Sequence, residues 1–185
     1  AVQPGDEDDY FQSSLFTIAR RRILWLLILV LANGLTTKVI AMNDQILKEI
    51  VLLAAFIPLL IGTGGNVGAQ SSTVVIRGLS TQKLKSLGAI KAVVKEAITG
   101  ALLGVFMMLV VFPFAWWQGE GPLIASAVGI SLISITTLAA TTGAILPLLF
   151  DRMKLDPALM SSPFITTVTD IAGVFIYLST AKWLL

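Results

Sequence analysis

The sequence predicts an all-α integral membrane protein of five transmembrane helices, with its N-terminus cytoplasmic and its C-terminus outside. Three observations predict it. Of 185 residues, 56% are hydrophobic and only 13% charged, with a mean hydropathy of +0.88, whereas a soluble domain carries about a quarter charged residues. Apolar runs recur at 23–42, 46–76, 92–115, 123–150 and 164–185, each close to or above the roughly 20 residues that a helix needs to cross a hydrocarbon layer about 30 Å thick. The basic residues are also unevenly placed. Arg20, Arg21, Arg22, Arg77, Lys83, Lys85, Lys91, Lys95, Arg152 and Lys154 fall on one side of a five-span arrangement, and Lys38, Lys48 and Lys182 near the other. The positive-inside rule then sets the orientation.

Residues 1–19 read as an acidic cytoplasmic linker, because Asp6, Glu7, Asp8 and Asp9 precede any apolar run. They do not read as a signal peptide, which opens on basic residues. The five-helix domain is expected over residues 20–185. Its second run is expected to be one long, broken helix, loosened by Pro58 and by Gly62-Thr63-Gly64-Gly65-Asn66. The connection around 77–95 is the longest and strongly basic, open to anionic lipid head groups or simply to water. The fourth run is rich in Ser and Thr (Ser126, Ser131, Ser134, Thr136, Thr137, Thr141, Thr142), which reads as back-bonding within the helix or contact with a neighbouring span ahead of ion contact. Ser162 and Pro163 read as N-cap and first residue of the fifth helix. Trp25, Trp116, Trp117 and Trp183 sit near span ends, as interface anchors do.

With neither Cys nor His in the sequence, disulfides, thiolate or imidazole metal sites and His-based acid–base chemistry are excluded. Any metal must be met by oxygen. Asp170 reads as the only carboxylate well inside a span, roughly 10 Å of helix rise beyond Pro163. Ionised carboxylates at such depth cost at least about 2.5 kcal/mol, so they face a partner or water. Two readings stand: a protonated Asp170 bonded to a neighbouring helix, or, favoured, an ionised one beside an aqueous path occupied by cations. Pro163, Thr166, Asp170, Gly173 and Tyr177 share a face at steps of three and four. A helix N-terminus repels cations, which places the ion at Asp170 rather than at Pro163.

In the second run Thr63, Asn66, Gln70, Thr73 and Arg77 form a hydrogen-bonding stripe at the same spacing, and Gly64 and Gly68 form a GxxxG pair. Pro58 leaves the Ala54 carbonyl without its usual donor. Such groups are tolerated in a membrane where they meet protein or line a wet cavity. Pore lining and ordinary packing explain this segment equally well. No internal repeat is evident, which weighs against carriers built from two matched halves.

Pro58-Leu59-Leu60-Ile61-Gly62-Thr63-Gly64-Gly65-Asn66-Val67-Gly68-Ala69-Gln70-Ser71, with Asp156-Pro157-Ala158, Ser162-Pro163 and Thr169-Asp170-Ile171-Ala172-Gly173, closely resembles the transmembrane domain of the MgtE family of magnesium channels. The resemblance implies a homodimer in the bilayer, with the second and fifth helices lining an ion path on the symmetry axis. It implies that the transported ion is a largely hydrated Mg²⁺, held by the Asp170 carboxylate with help from the Thr166 backbone carbonyl. Thr63, Asn66, Gln70, Ser162 and Gly173 are the further pore-lining candidates. Ser162 stands where the family often has Asn. Cytoplasmic regulatory domains that bind magnesium are implied as partners outside these residues, in a multi-pass protein of the cell's inner or plasma membrane. Nucleic acid is not an expected partner. Elementary chemistry agrees, since Mg²⁺ prefers octahedral oxygen coordination and keeps several waters while one or two carboxylates grip it. Two Asp170 side chains across a twofold axis would supply them, and protons would compete with the ion for the same oxygens.

Three other readings compete with a channel that is not an enzyme. A gradient-coupled divalent-cation carrier would use Asp170 as its coupling site. An intramembrane aspartyl hydrolase would pair two Asp170 residues as an acid–base dyad, but no matching motif accompanies them. A structural membrane partner without its own pore would keep Asp170 as a buried packing residue.

Overall fold

A computed structural model describes residues 14–81, 84, 88–117 and 121–185. Six helices lie among them: α1 (Leu15–Ala41), α2 (Asp44–Glu49), α3 (Leu52–Ser80), α4 (Ala89–Ala115), α5 (Gly121–Arg152) and α6 (Pro157–Leu184). Strands are absent from the described residues. Four helical segments, Leu52–Ser80, Ala89–Ala115, Gly121–Arg152 and Ser161–Leu184, are long and apolar enough to cross a membrane. In α1 the apolar stretch found among the described residues is Leu26–Ala41, so four of the five expected spans have full membrane length among the described residues.

The bundle is organised around α5, which packs against α3, α4 and α6, while α1 lies against α6. Small residues make these approaches close. A Cβ on Gly100 would meet the Thr136 carbonyl of α5 at 2.6 Å, which only a glycine avoids. Leu132, Ile135, Ala139 and Ala140 of α5 are fully buried between the other helices. Several α5 hydroxyls, though not that of the buried Ser131, turn back onto their own helix: Thr136 Oγ1 donates to the Leu132 carbonyl at 2.7 Å, Thr137 Oγ1 to the Ile133 carbonyl at 2.6 Å and Thr141 Oγ1 to the Thr137 carbonyl at 2.7 Å. That satisfies them without water, as the fourth run led one to expect.

Two helix boundaries differ from the sequence reading. The second run breaks at Ile50 and Val51, between α2 and α3, and not at Pro58 or in the glycine run. Pro58 sits early in α3 on an exposed turn, where its missing N–H costs one bond to Ala54 that other groups can meet. Gly64 and Gly68 stay helical where they pack closely against α5 and α6, which outweighs their weak propensity, and Gly62 and Gly65 continue the same helix. Similarly, α6 starts at Pro157 and runs through Ser162 and Pro163. Asp156 Oδ1 accepts the Ala158 N–H at 2.9 Å and Pro157 occupies the first turn, so Asp-Pro, a stronger start signal, takes the role expected of Ser162-Pro163.

Candidate functional site

The cap at Asp156 lengthens α6 toward its start and leaves Asp170 about 20 Å of helix rise from Pro157, far from the positive end of the helix dipole. Asp170 is half-buried. Among the described residues it makes no ion pair or hydrogen bond; the ion pair present, Lys48 with Asp44, is in α2. Ser162 and Thr166, two turns and one turn before Asp170 on the same side of α6, are exposed. The Thr166 hydroxyl is engaged locally, donating to the Pro163 carbonyl at 3.0 Å. Beyond Asp170 the same line turns inward. Gly173 is buried, with Ile135 carbons 3.7 Å from where its Cβ would stand, and the fully buried Tyr177 hydroxyl donates to the Leu53 carbonyl of α3 at 3.1 Å. The polar line is therefore open from Ser162 to Asp170 and closed within the chain from Gly173 to Tyr177.

Helix α3 presents two faces. Gly64 and Gly68 face inward: a Cβ at Gly64 would lie 2.7 Å from Ile135 Cγ2, and one at Gly68 would lie 2.6 Å from Ile165 Cγ2 and 3.2 Å from the Ala139 carbonyl. The GxxxG pair thus joins α3 to α5 and α6 within one chain. The other face carries Asn66, Gln70, Thr73 and Arg77, all exposed, with Thr63 half-buried at its edge. Gly62 and Gly65 on this side have nothing within 4 Å of a would-be Cβ. Thr73 Oγ1 donates to the Ala69 carbonyl at 2.9 Å. The Asn66 and Gln70 amides have no hydrogen-bond partner among the described residues. The structure thus gives Asp170, Thr166, Ser162, Asn66 and Gln70 accessible positions on α3 and α6, and takes Gly173 into intrachain packing.

A second carboxylate lies inside a membrane-length helix away from its last turn, which the sequence reading passed over. Glu96 is about 10 Å of rise from the start of α4 and accepts a hydrogen bond from the buried Ser71 Oγ of α3 at 2.7 Å. Its position four residues into an apolar run was the available signal. Unlike Asp170, it has a partner. Clusters of three or more carboxylates are absent among the described residues, so one chain provides an isolated acidic group rather than a coordination shell. That arrangement suits an ion which keeps its water.

Membrane-length helices around a buried α5, with an unpaired carboxylate at the edge of an open polar face, make a multi-pass helical membrane protein. The family model for MgtE, a divalent cation transporter, matches residues 57–180. The magnesium transporter MgtE of Thermus thermophilus is 39% identical over 164 residues, covering 89% of this chain and 36% of that protein. That of Bacillus subtilis is 33% identical over 176 residues (95% and 39%), and that of Enterococcus faecalis 34% over 168 residues (89% and 36%). The chain belongs to the MgtE family, a family of transporters and not of hydrolases. It spans 36% to 39% of the length of these relatives.

Proposed function

We propose that the chain is the membrane pore of a divalent-cation channel, foremost for Mg²⁺, built by two copies whose α3 and α6 outer faces meet across a twofold axis. One observation carries the proposal: Asp170 is a carboxylate within a membrane-length helix, without a partner among the described residues, at the edge of an open polar face. A lone chain in lipid would leave that face and Asp170 against hydrocarbon, which is costly. A second copy removes the cost by enclosing water between two such faces. Two Asp170 carboxylates then attract one hydrated divalent ion, with the Thr166 carbonyl and the Asn66 and Gln70 amides meeting its waters. A single acidic level attracts the ion without trapping it. α1 completes five spans per copy by crossing with its basic end in the head groups, N-terminus on the cytoplasmic side of the inner or plasma membrane. Regulatory domains outside this chain would act from that side.

Uptake of Mg²⁺ into liposomes holding the purified chain tests the assignment. Asp170→Ala and Asp170→Asn should each lower uptake at least about tenfold, equivalent to about 1.4 kcal/mol; equal uptake by all three sinks it. Uptake that requires an imposed proton or sodium gradient would favour the coupled carrier instead. Because the chain has no Cys, Asn66→Cys introduces a single thiol, and disulfide-linked dimers under mild oxidation would support the axis. Monomers alone would count against it.

A further inference from the structure

Where α4 meets the last turns of α5, the outer surface is furrowed. One groove of about 310 Å³ has Val93, Ile145 and Leu149 on its walls and Arg152 at its end. Another, of about 360 Å³, runs beside Lys91, Lys95 and Ile98. Ile90 and Val94 belong to both, forming a ridge between them, and are 80% and 51% exposed. A wider polar space of about 520 Å³ adjoins the first groove at Arg152 and is bordered by Ser80, Gly88 and Asp151. Arg152, Lys91 and Lys95 are exposed and make no ion pair among the described residues.

We infer that this face is a binding site for an anionic phospholipid, with one acyl chain on each side of the Ile90–Val94 ridge and the phosphate between Arg152 and Lys91. Two apolar grooves of similar size divided by one ridge match a two-chain lipid. The walls are open and aliphatic, on helices long and apolar enough to span the bilayer, so hydrocarbon is their natural occupant. Charge selects the head group, because basic pockets between helices at the membrane surface favour anionic lipids. Lys95, a turn deeper than Lys91, can lay its stem along an acyl chain and send its ammonium up to the phosphate. Asp151 borders only the wider polar space, not the two grooves. The site lies on the α4–α5 surface, apart from the α3–α6 face that carries Asp170, and stands whether or not the pore assignment holds.

Native mass spectrometry of the detergent-purified chain, titrated with phosphatidylglycerol or with phosphatidylcholine of the same acyl chains, provides the test. Phosphatidylglycerol should be retained about fivefold more strongly or better, and Arg152→Gln or Lys91→Gln should each erase about fivefold, the effect of one basic group near a head group. Arg152→Lys should keep most of the retention, which separates lost charge from lost folding. Lys154→Gln, a charge change at the same end but outside both grooves, should leave it unchanged. Equal retention of the two lipids, displacement by soluble glycerol phosphate at matched concentration, or a Lys154→Gln loss as large as that of Arg152→Gln would each overturn the inference.

Discussion

The two faces of α3 are built from nearly the same residues and do opposite things. Gly64 and Gly68 bring the helix so close to α5 and α6 that an added Cβ would collide with Ile135, Ile165 and the Ala139 backbone. Gly62 and Gly65, a few residues away, open onto empty space beside Asn66 and Gln70. Glycine in this motif is thus two different devices. On one face it permits packing, and on the other it keeps side-chain bulk away from a polar surface. The same division holds on α6, where Ile165 and Thr169 pack inward while Ser162 and Thr166 stay exposed.

Substitutions on the two faces should therefore separate stability from transport. The largest effect is expected from Gly68→Leu, which drives a side chain into Ile165 and the Ala139 carbonyl; overpacking of this kind costs about 3 kcal/mol, read as an earlier unfolding midpoint in a detergent titration. Asp156→Ala removes the acceptor for the Ala158 N–H and should cost about 1 kcal/mol, with fraying at the start of α6 visible by hydrogen exchange. Tyr177→Phe deletes the bond to the Leu53 carbonyl, again at about 1 kcal/mol, and should loosen the contact between α3 and α6 without touching the open face. Asn66→Ala is expected to move stability by no more than about 0.5 kcal/mol while lowering Mg²⁺ uptake. Gly65→Ala should cost no stability at all, being neutral or stabilising by up to about 1 kcal/mol through helix propensity, yet with altered uptake. If Gly65→Ala destabilises as Gly68→Leu does, the contrast between the faces fails.

Much of this was legible in the chain. Apolar run length, the steps of three and four through Asn66 and Gln70, and the isolation of Asp170 in an apolar stretch are local properties. They announce helices, a polar stripe and an exceptional carboxylate before any packing is known. The back-bonded hydroxyls of α5 were legible for the same reason, since a Thr reaches the carbonyl four residues earlier within its own helix. The boundaries were less so. Ser162-Pro163 and Asp156-Pro157 are both plausible starts, and choosing between them depends on which turn packs: Ser161 and Ile165 are buried against the bundle, so the helix must already be formed there.

Hydrophobicity and its period, being properties of consecutive residues, determined by themselves that this is a helical membrane protein with an acidic group held within its last span. Which side of each helix faces inward is a property of pairs distant in the chain, and only the tertiary structure decided it. The burial of Gly173, the bond from Tyr177 to Leu53 and the hydrogen bond from Ser71 to Glu96 depend on how α3, α4 and α6 meet around α5. In a membrane the solvent is apolar and gives no reason to hide one aliphatic face rather than another, so close packing and hydrogen bonding between helices make that choice.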